Sequence, residues 1–196
     1  MRLLIPTLCL LVMLQACSFS GSPPPEEHFY RLPDLLTNKS QQGFDTVYLR
    51  SVMAEGIYNE RAILYVKDDA PLEVRRYHYH HWLNAPGKLI HEQFKNYLTS
   101  TGLARQIVDH RLATQDLDIS VQLRNFERLT GASSRVLVEL DMAVYGAESV
   151  RPVLSKNYRL ELPAGSSMHD TAAAFGRVLS RLFAQMSEDL ISLKKD

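Results

Sequence analysis

Cysteine is nearly missing from this chain. Its 196 residues hold two, Cys9 and Cys17, both near the start. Beyond Cys17 there is no thiol, so neither a disulfide framework nor a cysteine zinc site holds the remaining sequence together. Net charge is also absent, since 22 basic side chains balance 22 acidic ones. That balance argues against binding nucleic acid through bulk electrostatics. No apolar run spans a bilayer comfortably; the longest, Leu3 to Leu14, ends too soon. The catalytic signatures are missing as well: no GxSxG elbow, no phosphate-binding P-loop, no GxGxxG turn and no HExxH helix. The adjacent acid pairs Glu26-Glu27, Asp68-Asp69 and Glu188-Asp189 point apart on regular elements and read as solvated charge. These absences point away from an enzyme.

What is present begins with a leader. Met1-Arg2 supplies a basic start and Leu3 to Leu14 an uncharged core of signal-peptide length. The following Leu14-Gln15-Ala16-Cys17 resembles the lipobox of bacterial lipoproteins. That resemblance implies a diacylglycerol on the Cys17 thiol, cleavage after Ala16, and acylation of the new N-terminus, as by palmitate. Residues 1–16 are then the signal peptide. Several acyl chains give durable attachment, at about 0.8 kcal/mol per buried methylene. Ser18, where an Asp would favour inner-membrane retention, resembles an outer-membrane-directed lipoprotein. Residues 17–27, with Pro23-Pro24-Pro25, form an extended tether.

Residues 28–196 read as a single periplasmic domain, long enough to bury a core. Strands are expected over Asp45–Glu55, Arg61–Asp69 and Leu72–Trp82, the last two joined by a turn at Asp68–Pro71 as a hairpin. Leu89, Ile90, Phe94, Tyr97 and Leu98 then fall on one helical face between Pro86 and Gly102. A short strand at Arg105–Asp109 follows. Leu117, Ile119, Val121 and Leu123 alternate with polar residues, as do Val136, Val138, Leu140, Met142 and Val144. These are half-buried strands, joined by a hairpin through Gly131, with a further strand at Ser155–Pro163. Ala172, Phe175, Leu179, Leu182, Met186 and Leu190 mark a long C-terminal helix, capped by Ser166 or Ser167, with Asp170 in its first turn and Lys194 and Lys195 at its end. The fold class is α+β: an antiparallel or mixed sheet with a shorter central helix and a long C-terminal helix on one face.

One stretch stands apart. Arg75-Arg76-Tyr77-His78-Tyr79-His80-His81-Trp82 carries three of the seven histidines and the only tryptophan. On a regular strand His78 and His80 share a face and His81 takes the other. Two imidazoles without a defined third ligand do not make a metal site, so no metal and no cofactor is expected. The stretch reads as an aromatic strand, with Trp82 packing at the strand-to-helix junction. Tyr77, Tyr79, His81 and Trp82 are the candidate surface for a partner or a lipid.

Several segments, in order, resemble the ABC-type transport auxiliary lipoprotein family. They are His28-Phe29-Tyr30-Arg31-Leu32-Pro33-Asp34, the run from Glu55 to Pro86 with its His80-His81-Trp82 strand end, Leu123 to Glu127, and Ala184 to Ser192. Asn59 and His81 stand where that family commonly has Asp and Arg, and Asn84-Ala85 alters its acidic approach to proline. The resemblance implies a non-enzymatic accessory lipoprotein of a lipid-transport machine, working with an MCE-domain protein and through it an ABC transporter. It would sit on the periplasmic face of the outer membrane and could assemble as a homo-oligomer. The rival is the lipoprotein that plugs the lipopolysaccharide-assembly β-barrel; it has similar size but lacks the Tyr30-Arg31-Leu32-Pro33 start.

Overall fold

A computed structural model of the chain describes residues 25–35, 43–112, 114–147 and 149–194. The leader, Cys17 and most of the loop before Gly43 lie outside the described residues. The sheet is organised around β7 (Leu117–Thr130), whose alternating Leu117, Ile119, Val121 and Leu123 are all buried. Along one edge β7 pairs antiparallel with β8 (Arg135–Gly146), and β8 with β9 (Leu154–Pro163). Along the other edge β2 (Phe44–Leu49), β3 (Met53–Ala54) and β4 (Ala62–Lys67) follow one another, all parallel to β7. β6 (Ala104–Val108) joins β2 in parallel, and β5 (Ala70–Trp82) returns antiparallel on β4. β1 (His28–Tyr30) pairs parallel with β5. The nine strands among the described residues therefore form a mixed sheet, and the expected hairpins β4–β5 and β7–β8 are both formed.

The segment expected as one strand over Asp45–Glu55 is broken. Its first part ends at Leu49, the Arg50 amide donates to the Ile119 carbonyl at 2.9 Å, and β3 resumes for two residues. Gly56, at φ 55°, then opens a 3-10 turn over Gly56–Asn59 before β4 begins. A positive φ is easy for glycine and costly for other residues. β7 changes phase beside this excursion, between Leu123 and Asn125, so the buried series passes from Leu123 to Phe126 rather than to Asn125. A bulge inserts one residue and re-aims every side chain after it. The turn carries the half-buried Tyr58, whose hydroxyl donates to the buried Glu127 carboxylate; Asn125 donates to that carboxylate at 3.1 Å.

Both helices pack on one face and on each other. Helix α1 (Pro86–Ser100) starts with proline at its first position, where no amide is needed, and stops at Gly102 with φ 76°. It presents Ile90, Phe94 and Leu98 to the core. Helix α2 (Met168–Ser192) is capped by Ser167, whose Oγ accepts from the Asp170 amide at 3.0 Å. Lys194, just past its end, donates to the Gly43 carbonyl. Phe183 of α2 meets Phe94 of α1 at a ring separation of 4.8 Å. Gly176 lies under the N-terminal segment: a Cβ there would stand 2.3 Å from Pro33 Cγ.

On the face away from the helices, Asp118 is fully buried and held by Arg50 through two bonds of 2.7 and 2.8 Å. The half-exposed Arg50 guanidinium also lies 5.2 Å from the Tyr145 ring. The Asp118 hydrogen bond raises the Arg50 pKa, against the opposing effect of burial.

Candidate functional site

The aromatic strand end lies on the outer edge formed by β1 and β5. Its last residue turns inward. Trp82 is 1% exposed and packs against Phe126 and Phe175, each at 5.3 Å between ring centroids. Those two phenyl rings are themselves 4.2 Å apart. Trp82 sits at the junction with α1, but as core, so it is not available to a partner as the sequence reading had it.

Tyr77 also faces inward. It lies half-buried against Tyr65, at 4.5 Å between centroids, and its hydroxyl accepts from Arg128 at 3.3 Å. Arg128 is buried, with no carboxylate paired to it among the described residues. Its guanidinium donates to Ser134 Oγ at 3.0 Å and to the Ser166 carbonyl at 2.9 Å, tying β7 to the β7–β8 turn and to the entry of α2. Each of the three guanidinium nitrogens thus donates to a neutral oxygen, and Nη1 also meets Met168 Sδ at 3.1 Å, so the buried cation is hydrogen-bonded on every nitrogen.

Strict alternation fails inside β5. Tyr77 and His80 are three residues apart, yet their rings touch edge-on at 5.7 Å. The cause is the register shift against β4: Leu64 pairs with Arg76, but Ala62 pairs with His81. Three extra β5 residues therefore bulge between them, and the expected common face for His78 and His80 does not hold as a simple alternation. His80 stacks on His28 at 5.2 Å, and its Nδ1 lies 3.0 Å from the Tyr30 hydroxyl. Burial, then the neighbouring His28, His81 and Arg128, lowers the His80 pKa and favours the neutral imidazole. Among the described residues no three His, Cys, Asp or Glu side chains converge on a common point.

Two of the four sequence candidates remain outward. Tyr79 is 44% exposed, and the partly buried His81 stacks on Phe29 at 5.7 Å. The structure adds two residues that the sequence reading did not single out, Phe29 at 48% and Leu83 at 46% exposure. Arg61 places its guanidinium 5.3 Å from the Phe29 ring, within cation–π range. Phe29 reaches this edge because β1 pairs with β5, a three-residue parallel ladder too short to leave a periodic signal. The Leu83 amide closes the edge by donating to the Tyr30 carbonyl at 2.7 Å.

A cavity of about 460 Å³ opens at the start of α1, lined by Ser51, Val52, Asn59, Lys88, His91 and Lys95 among others. His91 Nδ1 is buried there without a hydrogen-bond partner among the described residues.

A mixed sheet with two helices on one face and an aromatic outer edge defines the class of this domain. The fold is shared with a crystal structure of a protein from Xanthomonas campestris, at TM-score 0.75 and 17% identity, covering 86% of this chain and 98% of that one. A hypothetical protein from Chlamydia trachomatis has a TM-score of 0.52 at 9% identity, covering 76% and 96% of the two chains. At such identities the likeness is one of fold alone. No curated protein matches the sequence.

The sequence itself carries the family. Residues 30–187 match the ABC-type transport auxiliary lipoprotein component, and the chain belongs to that family. It is an auxiliary lipoprotein of ABC-type transport, and membership assigns it to the cell envelope.

Proposed function

We propose that this chain is the lipid-anchored periplasmic subunit of an ABC transporter that moves lipid together with an MCE-domain protein, and that it docks this assembly at the outer membrane. The observation that carries the proposal is the family match over residues 30–187, directly behind a lipobox and a proline-rich tether. Its role is to bind and position rather than to catalyse.

Affinity purification of the full lipidated chain from detergent-solubilised envelopes tests the proposal. Co-purification of an MCE-domain protein with an ABC permease is the expected result. Recovery of the lipopolysaccharide-assembly barrel instead would overturn it. A hydrolytic activity abolished by His91→Gln would overturn the non-catalytic role.

A further inference from the structure

We infer that the β1–β5 edge is a membrane-contact surface, through which the domain lies against the bilayer that holds its own anchor. The inference deepens the proposed function and rests on lipidation at Cys17.

Three observations converge on it. First, the exposed large apolar side chains Phe29, Tyr79 and Leu83 are brought to one edge by the β1–β5 pairing. Of the other such residues among those described, Met53, Val150 and Val153 lie outside β1 and β5, and Leu72 lies at the far end of β5, away from the residues that pair with β1. Partly exposed aromatic rings beside a guanidinium, here Phe29 under Arg61, suit the polar–apolar boundary of a bilayer. Second, β1 is the strand that the tether enters. Eight peptide steps separate Cys17 from Pro25, and a fully extended chain covers at most about 29 Å in that number of steps. A domain of this size is about 40 Å across. The anchor therefore holds the β1 side close to the lipid, and β9, at the opposite edge of the sheet, cannot easily take its place. Third, charge is balanced at this edge. The exposed Glu26 and Glu27 precede β1, and the exposed Arg31 and Arg61 flank it. Contact is then driven by shallow burial of the three apolar side chains, with little dependence on salt.

The chemistry names the occupant as the interfacial layer of a phospholipid bilayer. A protein partner over the same edge is the competing outcome. The mature chain has no thiol other than the acylated Cys17, so an introduced cysteine can be labelled alone. Tyr79→Cys and Leu83→Cys, with Ser155→Cys on β9 as the control, are made in the full-length chain. Each is processed, checked for acylation by mass, labelled with nitrobenzoxadiazole and reconstituted into phosphatidylethanolamine–phosphatidylglycerol vesicles. The expected result is at least a twofold loss of dye emission at positions 79 and 83 when headgroup-nitroxide lipid is included, with little loss at 155. Equal quenching at all three positions, or none at 79 and 83 in chains that float with the vesicles, would overturn the inference. Quenching absent from the vesicles but dye shielding at 79 and 83 on adding a purified transport partner would reassign the edge to protein. Chains that lack acyl mass and fail to float would instead remove the anchor reading on which the inference rests.

Discussion

Replacing Phe175 by alanine removes the ring that closes the cluster under the β5 end. Phe175 is fully buried and touches Trp82 at 5.3 Å and Phe126 at 4.2 Å. Truncating a buried phenylalanine to alanine costs roughly 3–5 kcal/mol, from lost transfer energy and the cavity left behind. The two aromatic contacts, worth roughly 0.5–1.5 kcal/mol each beyond burial, place this site toward the upper part of that range. We expect a loss of about 4 kcal/mol, roughly a thousandfold in the folding equilibrium. Trp82 is the only tryptophan, so urea unfolding followed by its fluorescence reads this cluster directly. The midpoint should fall with an unchanged slope, since both end states keep their exposed areas. Phe175→Leu, which conserves most of the volume, should recover most of the loss. A cost for Phe175→Ala below about 1 kcal/mol would refute the assignment of these three rings as a jointly packed core.

Tyr58→Phe removes the hydroxyl that donates to the buried Glu127, leaving Asn125 as the remaining donor. Burial, then the Glu127 hydrogen bond, raises the Tyr58 pKa and keeps that proton in place. A stability loss of roughly 1–3 kcal/mol is expected in thermal melts, as for a buried carboxylate short of a donor. Gly176→Ala should gain about 1 kcal/mol of helix propensity, yet lose more through the 2.3 Å approach of its Cβ to Pro33. We expect a net cost near 1–2 kcal/mol, reduced in the double variant with Pro33→Ala; additivity of the two changes would contradict the contact. The lowered His80 pKa means that the unfolded chain binds a proton that the folded chain resists. Its stabilisation is present above the ordinary histidine pKa and is lost as pH falls through the lower folded value. Amide exchange in β1 should therefore quicken as pH drops from 7 toward 5, after correction for intrinsic rates, and His80→Gln should flatten that response.

The strong periodic segments were legible from the chain alone. In β7 and β8 the period-two alternation selects one face, and the structure buries that face against the helices. The stops at Gly102 and the cap at Ser167 follow from backbone chemistry local to a few residues. The interruption after Leu49 was not legible, because nothing in its composition signals that β2, β3 and β4 share one edge of a single long neighbour. The site divided along the same line. Tyr79 and His81 stayed at the surface, whereas Tyr77 and Trp82 turned in; the bulge that sorts them belongs to a pairing with β4, not to β5 itself.

The sequence by itself determined the α+β class and the order of most elements, because each depends on neighbours a few positions apart. It also carried the family, through motifs recurring in order. Only the tertiary structure decided that His28–Tyr30 becomes an edge strand beside His80–Trp82, and hence that Phe29, Tyr79 and Leu83 are brought to one edge. That decision is long-range: it requires β5 to pair with a strand about fifty residues away, and no local pattern contains the contact.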